Sequence, residues 1–535
     1  MRYSHSVRGV DLARWVGGLA IGLACATASV RAEELAVAPE SLPAPPREGQ
    51  TLILPESETP PPVALNRFLG SQSCGASNCH GNPNRENLVL SSYHFVMDRD
   101  PHQKAGLVLY NERSRNMVER LKLGVPAWKA KECLVCHSPG AVNAFDPSLV
   151  SALVRDGIGC ESCHGGAEGW LAAHRSAEWK FPDIWSEERK TAAGFKTNKN
   201  LATRAHMCAD CHVGSPGQQV DHDLIAAGHP RLNFEFAAYQ ALYPKHWRVS
   251  DDRARTPVAG GEASVRGSTF ESTSWLVGQL VTADHELALL LNRAERSGKS
   301  GPELAQFDCY ACHHELQDQS WRQVRTNSKL KPGEIGWGTW GLGLVESLPP
   351  AYSLLNAEQF QKDAALLRGH LQTLQARPDV IHSPATRMRA ELQAALAKIP
   401  QQRYDAGSVQ TVQDGLLKDR NELVQGGWDR TTQLYLATAA LQNAGREARG
   451  LIGGTPGAED ASLLKVRQLL SFDPVSGAPR TFEITDSPRY RKGTPDEILR
   501  AFEEYLQTRP RVEAAVPADA LPPVADQSPL LLPRQ

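Results

Sequence analysis

Apolar residues recur at helical spacing in the last third of the chain. Between residues 346 and 506 the composition shifts to Leu, Ala, Gln, Glu, Arg and Lys. The first apolar series lies on one helical face and consists of Leu354, Leu355, Phe360, Ala364, Leu367, Leu371 and Leu374. A second series covers 408–444, with a break at Gly426–Gly427, and a third covers 495–506. We predict a small helical domain over 346–506.

The N-terminus combines a basic start with a short apolar run. Three arginines precede an apolar stretch over 15–30, and small residues flank Arg31 at its end. A membrane-spanning helix needs about 20 apolar residues, so this stretch is too short for an anchor. The pattern is typical of a secretory signal peptide over 1–32 that is cut after Ala32. We expect an exported, periplasmic protein with no membrane span in the mature chain.

Two Pro-rich stretches separate the remaining parts. Residues 33–66 lack apolar periodicity and predict an extended linker. Residues 507–535 are again Pro-rich and predict a disordered tail. Residues 67–345 hold every cysteine except Cys25 and most of the histidines. We expect this part to form a second domain, whose chemistry depends on those two residue types.

Composition narrows the function classes. The 58 Lys and Arg nearly balance the 60 Asp and Glu, which leaves a net charge of −2. Such a balance gives no electrostatic reason to expect a nucleic-acid partner. Aromatic residues make up only 7% of the 535 residues, while Gly and Pro number 43 and 36. With so few large apolar side chains, a compact domain would need another group to help fill its core.

The ten cysteines after Cys25 form five pairs, and a histidine directly follows each pair. We number these five motifs in chain order. In the first motif, four residues separate the two cysteines, which are Cys74 and Cys79. The other four motifs have the form C-x-x-C-H, with the cysteines Cys133 and Cys136, Cys160 and Cys163, Cys208 and Cys211, and Cys309 and Cys312. The five histidines are His80, His137, His164, His212 and His313.

The C-x-x-C-H pattern is the attachment signature of c-type haem. The two thiols reach two vinyl groups on one porphyrin edge, and the following histidine then lies under the iron as its proximal ligand. Zinc ribbons use paired cysteines without needing the histidine, and C-x-x-C disulfides are usually redox-active rather than structural. Five such histidines would arise by chance with a probability on the order of 10⁻⁸. We predict five covalently bound haem c groups, with a bulged loop in the first motif.

The second axial ligand of each iron decides what the haems do. A haem with two protein ligands only carries electrons, whereas an open position admits a substrate. The chain after Ala32 has four methionines and more spare histidines, so we expect histidine on both sides of each iron. Our candidates for the distal ligands are His94, His102, His174, His222 and His229. The histidines that rank behind them are His206, His246, His285 and His314.

Local patterns support two parts of this choice. Asp100 predicts the N-cap of a helix over 101–123, which would hold His102 rigidly in its first turn. His222 and His229 are seven positions apart, so both would lie on the same side of a helix.

The region of His94, His102 and the second and third motifs, up to Gly165–Gly166, resembles the multihaem cytochromes of the cytochrome c-554/c-prime type. The resemblance covers roughly residues 67–325. It implies a mainly α fold with extensive loops, built around stacked haems, in which most irons have two histidine ligands and one may lack a strong sixth ligand. It also implies proximal roles for the five motif histidines and distal roles for His94 and His102. The best-known members have four haems, whereas this chain has five motifs.

Two functions follow as alternatives. The leading prediction is an electron-transfer protein that passes electrons along its haems to redox partner proteins. The alternative is an oxidoreductase that acts on a small nitrogen or sulfur compound at one five-coordinate haem. Pentahaem nitrite reductases carry a C-x-x-C-K motif, which this chain lacks. The sequence does not fix the oligomeric state or a substrate, and the C-terminal helical domain would serve packing, dimerisation or partner docking.

Overall fold

The computed structural model describes most of the chain after the predicted linker. The described residues are 67–144, 146–255, 270–296, 303–313, 330–331, 334–374, 377–402, 404–448, 457–470 and 495–510. The expected signal peptide (1–32), the expected linker (33–66) and all but the first residues of the expected tail lie outside them. Within the described residues, the only extended pairings are isolated bridges between Phe68 and Ala144, Ser215 and Gln218, and Phe307 and Trp337. The predicted mainly α fold with extensive loops is confirmed.

Short helices and long connections make up the part that contains the first four motifs. Its α-helices are α1 Ser92–Arg99, α2 Glu112–Arg120, α3 Lys131–His137, α4 Pro139–Val142, α5 Val150–Asp156, α6 Cys160–His164, α7 Leu171–His174, α8 Glu187–Ala192, α9 Leu201–His212, α10 His222–Ala227, α11 Phe236–Leu242 and α12 Val249–Arg255. Single 3₁₀ turns lie at Ser71–Cys74, Pro101–Lys104, Leu107–Tyr110, Ala127–Lys129, Pro147–Leu149, Ala167–Gly169 and Ala177–Lys180.

Longer helices make up the rest of the chain. They are α13 Phe270–Arg296, α14 Pro350–Ser353, α15 Ala357–Leu371, α16 Pro378–Lys398, α17 Ala406–Lys418, α18 Arg420–Gln425, α19 Trp428–Ala448, α20 Ala458–Leu470 and α21 Pro495–Thr508. Further 3₁₀ turns lie at Leu304–Gln306, Cys309–Ala311, Val345–Ser347 and Ile399–Gln401. None of the described helices is both long and apolar enough to cross a membrane.

The helix expected over 101–123 is broken into pieces. Asp100 does cap its start, because its carboxylate accepts the backbone N–H of His102 at 3.0 Å. The continuous helix is wrong, however, since two 3₁₀ turns precede α2. Gly106 lies where a Cβ atom would be 1.7 Å from the carbonyl oxygen of Val154, so only glycine fits against that backbone. Asn111 then caps α2 by accepting the N–H of Ser114 at 2.8 Å.

The large apolar core lies around α13. This helix packs against α9, α11, α16 and α19, and its Trp275, Leu276 and Leu280 are fully buried. The same cluster extends from Ala205 on α9 to Phe502 on α21. The fourth motif and the C-terminal helices therefore share one core, and the domain boundary near residue 345 stays a prediction.

Residues 67–200 have little apolar core of their own. Their buried apolar side chains form one cluster of six residues around Leu153 and one of three residues around Trp170. Burial of apolar surface is the main favourable term in folding. Side-chain contacts alone therefore give this part of the chain little stability.

A buried ion pair connects the loop after His229 to α19. Arg231 donates from Nη1 and Nη2 to the two carboxylate oxygens of Asp429, at 2.7 and 2.8 Å. Thr339 donates its hydroxyl to the same carboxylate at 2.6 Å. The Asp429 side chain is only 2% exposed, so the pair lies well away from solvent.

We expect Asp429→Asn to destabilise the protein strongly. It leaves the Arg231 guanidinium without its carboxylate, and removing one partner of a buried pair typically costs about 3 to 5 kcal/mol. Denaturant unfolding followed by circular dichroism measures the change. Asp419→Asn, at the exposed position between α17 and α18, is the matched control and should cost less than about 0.5 kcal/mol. Equal losses in both variants would contradict a role for the pair.

Glu235 caps α11 from a buried position. Its carboxylate accepts the backbone N–H groups of Ala237 at 3.1 Å and Ala238 at 2.7 Å, and the residue is 3% exposed. Burial raises the pKa of Glu235 from its ordinary value of 4.5 to about 7, although both hydrogen bonds oppose this shift. The folded protein therefore retains a proton on Glu235 that the unfolded chain has lost.

This raised pKa makes the stability depend on pH. Because the folded state binds the extra proton between pH 4.5 and 7, the free energy of unfolding should fall across that window by up to about 1.4 kcal/mol per pH unit. Glu235→Gln keeps an acceptor for the cap and should remove this contribution. Thermal unfolding at several pH values tests it, with Glu112→Gln at an exposed position as the control. An unchanged slope in the Glu235 variant would contradict the expectation.

Candidate haem sites

Three motifs lie on helices that end at the motif histidine. These helices are α3, α6 and α9. Helical residues at positions i, i+3 and i+4 share one face, so both thiols and the imidazole of each motif lie on the same side. In the fifth motif the 3₁₀ turn Cys309–Ala311 has a similar effect, because His313 donates its N–H to the carbonyl oxygen of Cys309 at 2.8 Å. This arrangement is the one that haem attachment requires.

The first motif accommodates its two extra residues in a bulge. His80 donates its N–H to the carbonyl oxygen of Cys74 at 3.2 Å, and Gly81 donates to that of Ala76 at 3.0 Å. A Cβ atom on Gly81 would lie 1.9 Å from the carbonyl oxygen of Gly75, so only glycine fits there. The loop therefore bends outward while the first cysteine and the histidine stay close.

Each motif histidine faces one histidine from another part of the chain. The ring centroids lie 6.0 Å apart for His80 and His174, 6.3 Å for His137 and His229, 6.3 Å for His164 and His246, 6.0 Å for His212 and His102, and 6.4 Å for His313 and His222. An imidazole nitrogen lies about 2 Å from a bound metal and about 1 Å from its own ring centre, so two ligands on opposite sides of one metal have centres about 6 Å apart. The spacing of all five pairs thus fits one iron between two imidazoles.

Hydrogen bonds fix the tautomer of several of these rings. The Nδ1 atoms of His80, His137 and His229 each contact a backbone carbonyl oxygen at 2.7 to 2.8 Å, and that of His102 contacts a carboxylate oxygen at 2.9 Å. These oxygens can only accept, so Nδ1 carries the proton and Nε2 keeps its lone pair. Metal-bound histidines use the same arrangement, in which the second nitrogen donates to an oxygen.

Burial keeps most of the paired histidines neutral. It lowers the pKa of His164, His212 and His229 to about 4, with a smaller contribution in the same direction from nearby histidines. The pKa of His137, His174 and His246 is lowered for the same first reason. Neutral imidazole is the form that binds a metal, so these rings can act as ligands throughout the neutral pH range.

The first motif packs against the third. The Cys74 and Cys160 thiols lie next to each other, and their interaction lowers the pKa of Cys74. The backbone N–H of Cys160 donates to the Ser71 hydroxyl at 3.1 Å. Glu161 also accepts the N–H groups of residues 69 and 70 at 2.8 and 2.6 Å. These bonds hold the loop before the first motif against α6.

The fourth motif contacts both the second and the third. The Cys136 and Cys211 thiols lie next to each other, and their interaction lowers the pKa of Cys211. Burial, together with the charge of nearby Cys208, raises the pKa of Cys163 to about 12. Asn198 donates to the carbonyl oxygen of Cys163 at 2.9 Å. The first four motifs therefore meet in the order first, third, fourth, second.

A comparison with protein families agrees with this chemistry. Residues 74–165 match the family model for cytochrome c554 and c-prime. Over this segment, the protein is similar to the c-type cytochromes of that family. The resemblance predicted from the sequence is confirmed there, and the match contains the first three motifs. No curated protein and no solved structure matches the chain.

Four of the five predicted distal candidates each face a motif histidine. They are His102, His174, His222 and His229. The fifth candidate, His94, instead has its Nε2 atom 2.9 Å from the carbonyl oxygen of Gly81. His94 lies on α1, shortly after the first motif in the chain. Its side chain therefore contacts the backbone of that motif rather than a motif imidazole.

The histidine that faces His164 is His246, which the sequence ranks behind the five main candidates. It follows α11 and precedes Trp247, whose indole N–H donates to Asp252 at 2.6 Å. Arg204 pairs with Asp252 at 2.8 Å and lies over the Trp247 ring at 4.8 Å. The signal in the sequence is the aromatic series Tyr239, Tyr243 and Trp247, of which Trp247 contacts the His246 ring with the two ring centroids 5.1 Å apart.

His222 and His229 do not share one face of a helix as expected. The helix α10 ends at Ala227, and Gly228 has a φ of 125°, which turns the chain before His229. His222 therefore faces the fifth motif and His229 the second. The end of α10 is held by α2, since Arg113 donates to the carbonyl oxygen of Gly228 at 2.8 Å.

Two of the remaining candidates contact each other. The Nδ1 atom of His206 lies 3.0 Å from Nε2 of His285, and Nδ1 of His285 lies 2.9 Å from the carbonyl oxygen of Gly214. This distance is too short for an iron between the rings. His314 lies outside the described residues.

Proposed function

We propose that this c-type cytochrome is an exported, periplasmic electron carrier with five covalently attached haem c groups. The family supports haem c and electron transfer, and the count of five comes from the motifs. The observation that carries the proposal is that every motif histidine faces a second histidine at the spacing of two ligands on one iron.

The ligand pairs follow from these contacts. The axial ligands, in motif order, are His80 with His174, His137 with His229, His164 with His246, His212 with His102, and His313 with His222. The bound haems supply one-electron chemistry at iron. The protein chain holds each pair of imidazoles in place, keeps Nε2 unprotonated and surrounds the rings with apolar and aromatic side chains.

The contacts between motifs support a linear series of haems. Motif cysteines are close neighbours between the first and third, third and fourth, and fourth and second motifs. The segment from His222 to His229 then connects the second and fifth. The proposed order is therefore first, third, fourth, second, fifth.

Both ends of this series reach the surface. Cys312 and His313 of the fifth motif are exposed, as are residues 76–78 of the first. The thiols of Cys163 and Cys208 in the middle are so buried that their pKa values rise to about 12. Electrons would enter at one exposed end and leave to a redox partner protein at the other.

The geometry favours this carrier over the oxidoreductase alternative. A substrate-binding haem needs a motif histidine with an open position opposite. Each of the five motif histidines instead has another histidine there, including His137 with His229. We assign the C-terminal helices a supporting role, since their core continues into α9 and the Asp429 pair anchors the loop after His229.

The haem count can be tested by removing one attachment site. The intact mass of the purified protein should equal that of the mature chain plus five haems. The double variant Cys309→Ser, Cys312→Ser should lose one haem, and about one fifth of its haem absorbance, because thioether attachment needs both thiols. A wild-type mass with four haems, or a double variant that still carries five, would contradict the proposal.

The ligand assignment can be tested with a matched pair of histidine variants. Methionine as an axial ligand raises the reduction potential of a haem. His246→Met should therefore convert one of five bis-histidine haems into a histidine–methionine haem, with a higher potential and the charge-transfer band of methionine ligation. His94→Met should leave the spectra of all five haems unchanged, because the Nε2 atom of His94 contacts a backbone carbonyl oxygen and its ring lies beside Tyr93. The reverse result would move the distal role to His94.

A further inference from the structure

His102 differs from every other described histidine in its hydrogen-bond partner. Its Nδ1 atom lies 2.9 Å from a carboxylate oxygen of Asp100, and within the described residues this is the only histidine in an ion-pair contact. Where the Nδ1 atoms of the other motif and facing histidines have a partner, as in His80, His137 and His229, it is an uncharged oxygen: a backbone carbonyl in each case, and for His80 also the Ser92 hydroxyl at 3.3 Å. The ring that faces His212 of the fourth motif is thus the one with an anionic partner.

The Asp100 carboxylate is held in place from two sides. One oxygen also accepts the backbone N–H of His102 at 3.0 Å, and the other accepts the hydroxyl of Tyr243 at 2.7 Å. The side chain is 4% exposed, so little water screens its charge. Asp100 therefore acts on the His102 ring from a fixed, desolvated position.

A carboxylate in this position changes the electron donation of the ligand. It attracts the Nδ1 proton and so makes Nε2 a stronger base, as it does for metal-bound histidines generally. A more basic ligand stabilises the oxidised metal, which has the higher positive charge, more than the reduced metal. A nearby buried negative charge has the same effect through space, because the local dielectric constant is low. Both effects make one-electron reduction of the bound iron less favourable.

We propose that Asp100, acting through His102, gives the fourth haem a lower reduction potential than it would have with a carbonyl partner. Tyr243 limits this effect, because its hydroxyl withdraws part of the carboxylate charge. The inference rests on the proposed ligand pair of His102 and His212. In the proposed order, the haem whose potential Asp100 lowers lies in the middle of the series, between the third and second haems.

Two variants of this cluster should shift the potential in opposite directions. Asp100→Asn keeps the shape and the acceptors but removes the charge, and should raise the reduction equilibrium constant of the fourth haem about tenfold, or about 59 mV for one electron. Tyr243→Phe leaves the carboxylate with its full charge and should lower that constant several-fold. Potentiometric titration of the five-haem protein, followed by electron paramagnetic resonance, measures both changes.

A control and an assignment variant make the test specific. Asp98→Asn removes the same charge from an exposed position that pairs with Arg85 at 2.7 Å, and should leave the fourth haem unchanged. His102→Met identifies the fourth haem, because it should give that one haem methionine ligation.

The possible results separate the inference from the proposed function. If His102→Met leaves all five haems with two histidine ligands, the ligand pair is wrong, and the inference falls with it. If His102→Met converts one haem but Asp100→Asn shifts its potential no more than Asp98→Asn does, only the inference is overturned. Should Asp100→Asn fail to fold, Tyr243→Phe decides alone, because an unchanged or raised potential would contradict the inference.

Discussion

Two imidazole rings held about 6 Å apart are the constraint on which the rest of this structure depends. Rings at that distance do not contact each other, so the surrounding chain has to hold each one separately. The Nδ1 contacts of His80, His137 and His229 with backbone carbonyl oxygens do this, and each leaves Nε2 free to bind iron. The geometry of the candidate sites is therefore built from backbone hydrogen bonds, which need an irregular chain more than long helices.

This requirement accounts for the uneven distribution of the apolar core. Residues 67–200 contain only two small clusters of buried side chains, and the proposed haems would supply the contacts that are missing there. The C-terminal helices instead bury a continuous side-chain core around α13. Since Ala205 and Ala209 belong to that core, α9 connects the side-chain core around α13 to the fourth motif. The C-terminal helices thus stabilise the candidate haem sites through their contacts with α9.

The sequence was informative where the chemistry is local. The five motifs, the cap at Asp100 and the mainly helical class all depend on residues a few positions apart, and such patterns are visible without tertiary structure. The distal pairs depend on which segments meet in space. His94 is near the first motif in sequence and contacts its backbone, while His246 reaches the third motif through the packing of Trp247 and Arg204. Spacing along the chain carries no information about that packing.

Several histidine pairs connect two parts of the chain, residues 74–165 and the residues that follow them. His102, before the second motif, faces His212 of the fourth, while His137 and His164 face His229 and His246, which follow the fourth motif. Residues 74–165, which match the family, therefore contain three motif histidines but none of the histidines that face them. Because each part supplies ligands to the other, the proposed sites are complete only when both have folded together. The segments that carry His174, His229 and His246 are thus needed to complete the proposed sites of residues 74–165.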